Sequence, residues 1–88
     1  MNRTAISITA KMYEAQDFAR NVCGPRYNDE IEAYREAIEL RMQAEKIEAI
    51  PAMMNMLKVF QTDRAPFTSQ ALLIAACVEI CEPETITS

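Results

Sequence analysis

The chain has 88 residues, enough for one domain, and 13 acidic residues against nine basic ones give a net charge of −4. It contains no histidine and one glycine, which excludes histidine-based nucleophile pairs and glycine-rich phosphate loops. Three cysteines without histidine do not complete a tetrahedral Cys/His zinc site. We therefore expect no catalytic residue, no metal and no cofactor.

The first predicted helix runs from about Thr4 to Cys23. Its end is well marked, because Arg20 lies in the last turn, Gly24 can adopt the left-handed conformation and Pro25 follows. Apolar residues recur at spacings of three and four, which predicts one buried stripe. That stripe consists of Ala5, Ile8, Met12, Ala15, Ala19 and Val22.

The second predicted helix opens with Asn28 and Asp29 as candidate N-caps, with Glu32 completing a capping box, and runs to about Ala49. Two apolar stripes run along this helix. One is formed by Ala33, Ala37, Leu40, Ala44 and Ile47, and the other by Ile31, Tyr34, Ile38 and Met42. A helix with two apolar faces needs two neighbours, either both in this chain or one in a partner.

The third predicted helix spans Pro51 to about Gln61, and a loop covers 62–66. Thr68 is the predicted N-cap of the fourth helix, and Phe67 is predicted to pack against Leu72. From Ala71 to Cys81 every position is apolar except Glu79. A helix that is apolar all round is buried, so this one should form the centre of the core.

The sequence thus predicts an all-α fold, a small four-helix array or bundle with a buried C-terminal helix. Residues 1–82 form the predicted single domain, and 83–88 a flexible acidic tail after Pro83. No stretch approaches the roughly 20 apolar residues that span a bilayer, so we expect no membrane contact. Three cysteines with no secretory signal before them favour a cytoplasmic location.

Two features indicate contact with another protein. The Ile31–Met42 stripe with Arg41 has the composition of an interface centre, although the first helix would also serve to cover it. Three clustered methionines in the third helix cannot all face inward, so at least one should reach the surface near Lys58. The predicted partner-binding residues are Ile31, Tyr34, Ile38, Arg41, Met42, Met53, Met54 and Lys58.

Nucleic-acid binding is disfavoured by the acidic net charge. A recognition role for the fourth helix is also disfavoured, because it offers only Thr68, Ser69 and Gln70 before it becomes apolar. A regulator of this kind would instead use the basic N-terminal segment with Arg3, Lys11, Arg20 and Arg26.

The leading hypothesis is a non-enzymatic protein-interaction module. Small acidic chains with so little chemistry resemble in style the accessory proteins with which phages and mobile elements modulate or inhibit host complexes, including defence systems. The alternatives are a helical homodimer closed by the Ile31–Met42 stripe, and a nucleic-acid-binding regulator.

Overall fold

The computed structural model describes residues 10–82, and within that range every secondary-structure element is helical. The helices are α1 (Ala10–Cys23), α2 (Tyr27–Glu45), α3 (Ala49–Thr62) and α4 (Phe67–Cys81). The predicted helix start near Thr4 and the predicted tail at 83–88 lie outside the described residues. The all-α prediction is confirmed for the part of the chain that the structure describes.

The number of separate helices differs from the prediction. A 3-10 turn, Gly24–Arg26, joins α1 directly to α2, so residues 10–82 form three uninterrupted helical stretches rather than four. Gly24 has φ +57°, the left-handed conformation predicted for it, and turns the chain. Pro25 does not end the helical stretch, because a proline fits the first turn, where its missing N–H has no partner.

The predicted cap of α2 is wrong. The helix begins at Tyr27 after Arg26, and no side chain caps its N-terminus. Since the 3-10 turn already leads into the helix, Asn28 and Asp29 lie inside the first turn rather than before it. Asp29 and Glu30 still stabilise this end, where the helix dipole is positive.

Three other helix boundaries differ from the sequence prediction. α2 ends at Glu45, because Lys46 adopts a left-handed conformation with φ 56°, and Pro51 falls in the first turn of α3. α4 begins one residue early, at Phe67, after Pro66 in an extended conformation. Thr68 is therefore not the N-cap.

Helix α4 lies at the centre of the fold, as its sequence predicts. It contacts α1, α2 and α3, while no Cα atom of α1 comes within 8 Å of one of α3 in the described range. Its buried residues are Ala71, Leu72, Leu73, Ala75, Ala76, Cys77 and Val78. α1 and α3 therefore lie on α4 without closing over it.

The core-facing side of α1 is rotated from the predicted stripe. Met12 and Ala19 are buried as expected, but Val22 is exposed and Gln16 and Cys23 are buried instead. The cost of burying Gln16 is offset because its amide donates a 2.9 Å hydrogen bond to Glu79 on α4. The hydrogen bond between Gln16 on α1 and Glu79 on α4 thus stabilises the orientation in which this side of α1 faces inward.

Candidate interaction surfaces

The structure divides the predicted partner-binding residues between core and surface. Ile31, Ile38 and Met53 are buried and belong to the core of this chain. Tyr34 and Met42 are half-buried against that core, and Arg41 is also half-buried. Met54 and Lys58 are exposed on α3. The Ile31–Met42 stripe is thus the inward side of α2 in the single chain.

The other stripe of α2 is the one left at the surface. Ala33, Leu40 and Ala44 are exposed, and Ala37 is half-buried. Leu40 keeps 66% of its surface accessible, the largest fraction among the large apolar residues described. The bulkier stripe covers α4, because burying large side chains removes more apolar surface from water than burying alanines does.

A trough runs between α1 and α3, with α4 as its floor. Its volume is about 540 Å³. It exists because the backbones of α1 and α3 stay apart, with no pair of their Cα atoms within 8 Å. The lining residues are Lys11, Glu14, Ala15 and Phe18 of α1, Leu57 and Gln61 of α3, and Phe67, Gln70, Ala71 and Ile74 of α4. We call this feature the α1–α3 trough.

Two phenylalanines form one end of the α1–α3 trough. The rings of Phe18 and Phe67 meet edge to face, with centroids 4.9 Å apart. Phe67 nevertheless remains 63% exposed, and Val22, one turn beyond Phe18, is also exposed. Exposed aromatic rings held by a rigid neighbour are typical of interface centres.

Met54 and Lys58 are not among the residues that line the trough, but they lie beside its α3 wall. They share one side of α3 with Leu57 and Gln61, because spacings of three and four residues place side chains on one helix face. The methionine cluster is divided as its spacing predicts: Met53 is buried, Met56 half-buried and Met54 52% exposed. Nothing in the sequence links these residues to Phe18, since that link depends on how α1 crosses α4.

A shallower groove, about 420 Å³, lies between α2 and α3 and includes the exposed stripe of α2. Its apolar walls are Ala37, Leu40 and Ala44 on one side and Met56 on the other. Arg41 borders the groove and donates a 2.8 Å hydrogen bond to Glu45. We call this the α2–α3 groove.

A third groove, about 720 Å³, lies at the end of α4. It is lined by Met42, Glu48, Ala49, Ile50, Pro51, Ile80 and Cys81. Burial, assisted by the adjacent Cys81, raises the pKa of the Cys77 thiol to about 12, so that this thiol stays protonated at neutral pH. Cys77 is therefore a small apolar core residue, while Cys81 is exposed.

The polar contacts within the molecule concentrate on one carboxylate. Oε2 of Glu79 accepts hydrogen bonds from Gln16 at 2.9 Å, from the Tyr27 hydroxyl at 3.2 Å and from Arg20 at 3.5 Å. The Arg20 guanidinium also lies over the Tyr27 ring, 5.3 Å from its centroid. This junction joins α1, α2 and α4, and none of the buried side-chain polar atoms among the described residues lacks a hydrogen-bond partner.

The basic residues of α1 are not gathered on one face. Lys11 lines the α1–α3 trough, whereas Arg20 pairs with Glu79 on the side that faces the start of α2. Nine positions separate them, which is about half a revolution of a helix. Arg3 lies outside the described residues. Within the described residues, Lys11 and Arg20 therefore do not share a face of α1.

No protein-family model, curated protein or solved structure matches this chain. Within residues 10–82, no three His, Cys, Asp or Glu side chains are grouped as metal ligands would be. None of the helices described is long and apolar enough to cross a membrane. The surfaces above are therefore interpreted from their own residues.

Proposed function

We propose that this chain is a non-enzymatic protein-interaction module, and that it binds an amphipathic helix of a partner protein in the α1–α3 trough. The observation that carries the proposal is the exposed Phe18–Phe67 pair at one end of an open channel between two helices. A helix laid in this channel would complete the layer that α1 and α3 leave open on α4.

The chemistry of the trough favours such a helix. Its floor and walls offer Ala15, Leu57, Ala71 and Ile74 to apolar residues spaced at i, i+3, i+4 and i+7. Its rims carry polar side chains that stay in water, including Lys11, Glu14 and Gln61. An apolar centre with a polar rim is the arrangement found in protein interfaces. Met54, exposed on α3 beside the trough, has a flexible side chain of the kind that adapts to the shape of a partner.

The biological role that we propose is modulation of a host protein complex by a small phage or mobile-element protein, with inhibition of a defence system as one such role. A chain that acts by occupying a surface needs no catalytic group, which agrees with the absence of histidine from the sequence. The trough supplies the contact area for such a role.

The test compares two variants with matched exposure. Phe67→Asp alters the trough and Leu40→Asp alters the α2–α3 groove, and the two wild-type side chains are 63% and 66% exposed. Immobilised wild-type chain in a bacterial lysate should retain one protein in stoichiometric amount. Phe67→Asp should lose that protein, and Leu40→Asp should keep it. Both variants should retain helical circular dichroism spectra.

The purified partner complex then tests the role itself. Its activity should fall on addition of the wild-type chain and of Leu40→Asp, and should not fall with Phe67→Asp. Retention of no stoichiometric protein by the wild type, or equal retention by Phe67→Asp, would show that the trough is not the binding site.

A further inference from the structure

We infer that the exposed side of α2 is a self-association surface, and that two copies of this chain pair through antiparallel α2 helices. This inference is independent of the proposed partner helix, because the trough is built from α1, α3 and α4. It replaces the predicted dimer contact at the Ile31–Met42 stripe, since Ile31 and Ile38 are buried within the chain.

The apolar residues of this surface have the spacing of a helix–helix seam. Ala33, Ala37, Leu40 and Ala44 follow at intervals of four, three and four residues, the spacing of the positions that face the partner helix in a coiled coil. Leu40 is the large residue among small ones. In an antiparallel pair it would pack beside Ala33 of the second copy, so that large and small side chains interdigitate.

The charges beside the seam select a second copy and its orientation. Glu30 lies six residues before Glu36 and Arg41 lies five residues after it, both on the same flank of the stripe. A two-fold axis that passes near Glu36 makes the two α2 helices antiparallel. It also places each flank of the stripe opposite the same flank of the other copy. It therefore brings Arg41 of each copy to Glu30 of the other, forming two identical ion pairs.

The opposite flank has the same centre of symmetry. Asp29 lies seven residues before Glu36 and Gln43 seven residues after it, so each Asp29 carboxylate would accept a hydrogen bond from the Gln43 amide of the other copy. Residue 36 is also the middle of α2, which spans Tyr27–Glu45, so this pairing overlaps the whole helix. This flank is otherwise acidic: the two Glu36 carboxylates approach each other at the axis, and Glu32 and Glu39 lie on the same side, further from the seam.

Arg41 is available for the second ion pair. Its present partner is Glu45 of its own helix, at 2.8 Å, and both side chains are substantially exposed. A guanidinium has five N–H donors, so it binds Glu30 of the other copy without releasing Glu45. Met56 on α3, beside Leu40 and Arg41, extends the apolar contact beyond α2.

Sedimentation of the full chain tests the pairing. We expect a reversible monomer–dimer equilibrium between about 10 µM and 1 mM, the range of a small interface. The measurement is made at about 0.15 M ionic strength, which screens the repulsion between chains of net charge −4. Leu40→Asp should remain monomeric throughout, and Phe67→Asp should dimerise like the wild type.

Charge exchange tests the orientation. Glu30→Arg and Arg41→Glu should each weaken dimerisation about 3- to 10-fold, because each places like charges together twice. The double variant Glu30→Arg, Arg41→Glu should restore the wild-type dissociation constant to within about 3-fold. Glu36→Gln should tighten it, because the repulsion at the axis is removed.

The inference is wrong if the wild type is monomeric at about 1 mM, a concentration at which even weak specific pairs form. It is also wrong if Leu40→Asp dimerises as the wild type does, or if the double variant shows no recovery. Phe67→Asp separates the two proposals, because it changes the trough and leaves the exposed side of α2 intact. If this variant loses partner binding and still dimerises, the trough binds the partner and α2 forms the dimer. Failure of one proposal is therefore distinguishable from failure of the other.

Discussion

Glu79 is the one charged residue on α4, and it shows how a single side chain fixes the relation of three helices. Its carboxylate accepts hydrogen bonds from Gln16 and Tyr27, both of which are buried, and from the exposed Arg20. A donor that is buried without an acceptor loses its hydration without compensation. The sequence already distinguishes this residue as the polar exception in an apolar helix.

We predict that Glu79→Ala lowers the free energy of unfolding by about 1–3 kcal/mol, because the buried donors of Gln16 and Tyr27 lose their acceptor. Urea denaturation followed by circular dichroism measures the change. Glu45→Ala is the control, since it removes only exposed contacts, the ion pair with Arg41 and a hydrogen bond from Asn55, and should change stability by less than about 0.5 kcal/mol. Equal effects in the two variants would contradict the structural role of Glu79.

Tyr27 gives a prediction for alkaline pH. Burial, together with the nearby Glu79 carboxylate, raises the pKa of its phenol above the ordinary value of 10.0. As pH rises above 10 the unfolded chain loses this proton first, so the contribution of Tyr27 to stability is complete below pH 10 and is lost as pH rises through the folded-state pKa. Between pH 10 and 11, the unfolding free energy should therefore fall more steeply in the wild type than in Tyr27→Phe.

The Tyr27→Phe comparison isolates one group. The Cys77 thiol, whose pKa is raised to about 12, also lowers stability as pH increases, but it does so equally in both proteins. Identical slopes in wild type and variant would mean that the Tyr27 phenol is not buried against Glu79.

At the scale of the helices, the sequence predicts a helix end that a glycine marks and misses an end where another residue adopts the same conformation. Gly24 marks the end of α1, as expected. Lys46 adopts the same left-handed conformation at the end of α2, and a lysine gives no signal of it. The capping pattern at Asn28 and Asp29 misled the prediction, because the chain was already helical from the preceding turn.

Two of the three left-handed residues described, Gly24 and Lys46, predict different effects of substitution. Gly24→Ala should destabilise the chain by about 1 kcal/mol through backbone strain alone, because a Cβ there would meet no atom within 4 Å. Lys46→Gly should be neutral or stabilise by up to about 1 kcal/mol, since glycine relieves the strain of φ 56° but adds freedom to the unfolded chain. Thermal unfolding of the two variants measures both effects, and a stabilising Gly24→Ala would contradict the bend.

The candidate site was predictable only in part at this scale. The sequence identifies both apolar stripes of α2 but not which of them faces inward, because each repeats at helical spacing. The outcome depends on tertiary packing: Ile31 and Ile38 fit against α4, while Leu40 remains outside. The trough was not predictable, since it arises from two helices that are distant in sequence and whose backbones stay apart on α4.

At the scale of the whole molecule, the interior helix α4 packs against the other three helices, and several large apolar side chains of the described residues remain exposed, Leu40 and Phe67 most of all. The contrast between two leucines tests this division. Leu73→Ala should destabilise the chain by about 2–5 kcal/mol, because Leu73 is fully buried and its removal leaves a cavity. Leu40→Ala should change stability by less than about 0.5 kcal/mol, because its side chain is 66% exposed.

Denaturant midpoints of both leucine variants provide the measurement. A large loss of stability in Leu40→Ala would mean that this side of α2 is needed for folding of the chain rather than free for contact. A small loss in Leu73→Ala would mean that α4 is not the centre of the core.

The proposed function depends most directly on what occupies the α1–α3 trough. A photo-activated cross-linking amino acid in place of Phe67, with one in place of Leu40 as the control, samples the two surfaces in the same bacterial lysate. At dilute chain concentration, we predict one dominant cross-linked protein from position 67, attached through a peptide that forms an amphipathic helix, and no such product from position 40. No product from position 67, or the same product from both positions, would contradict the assignment of the trough.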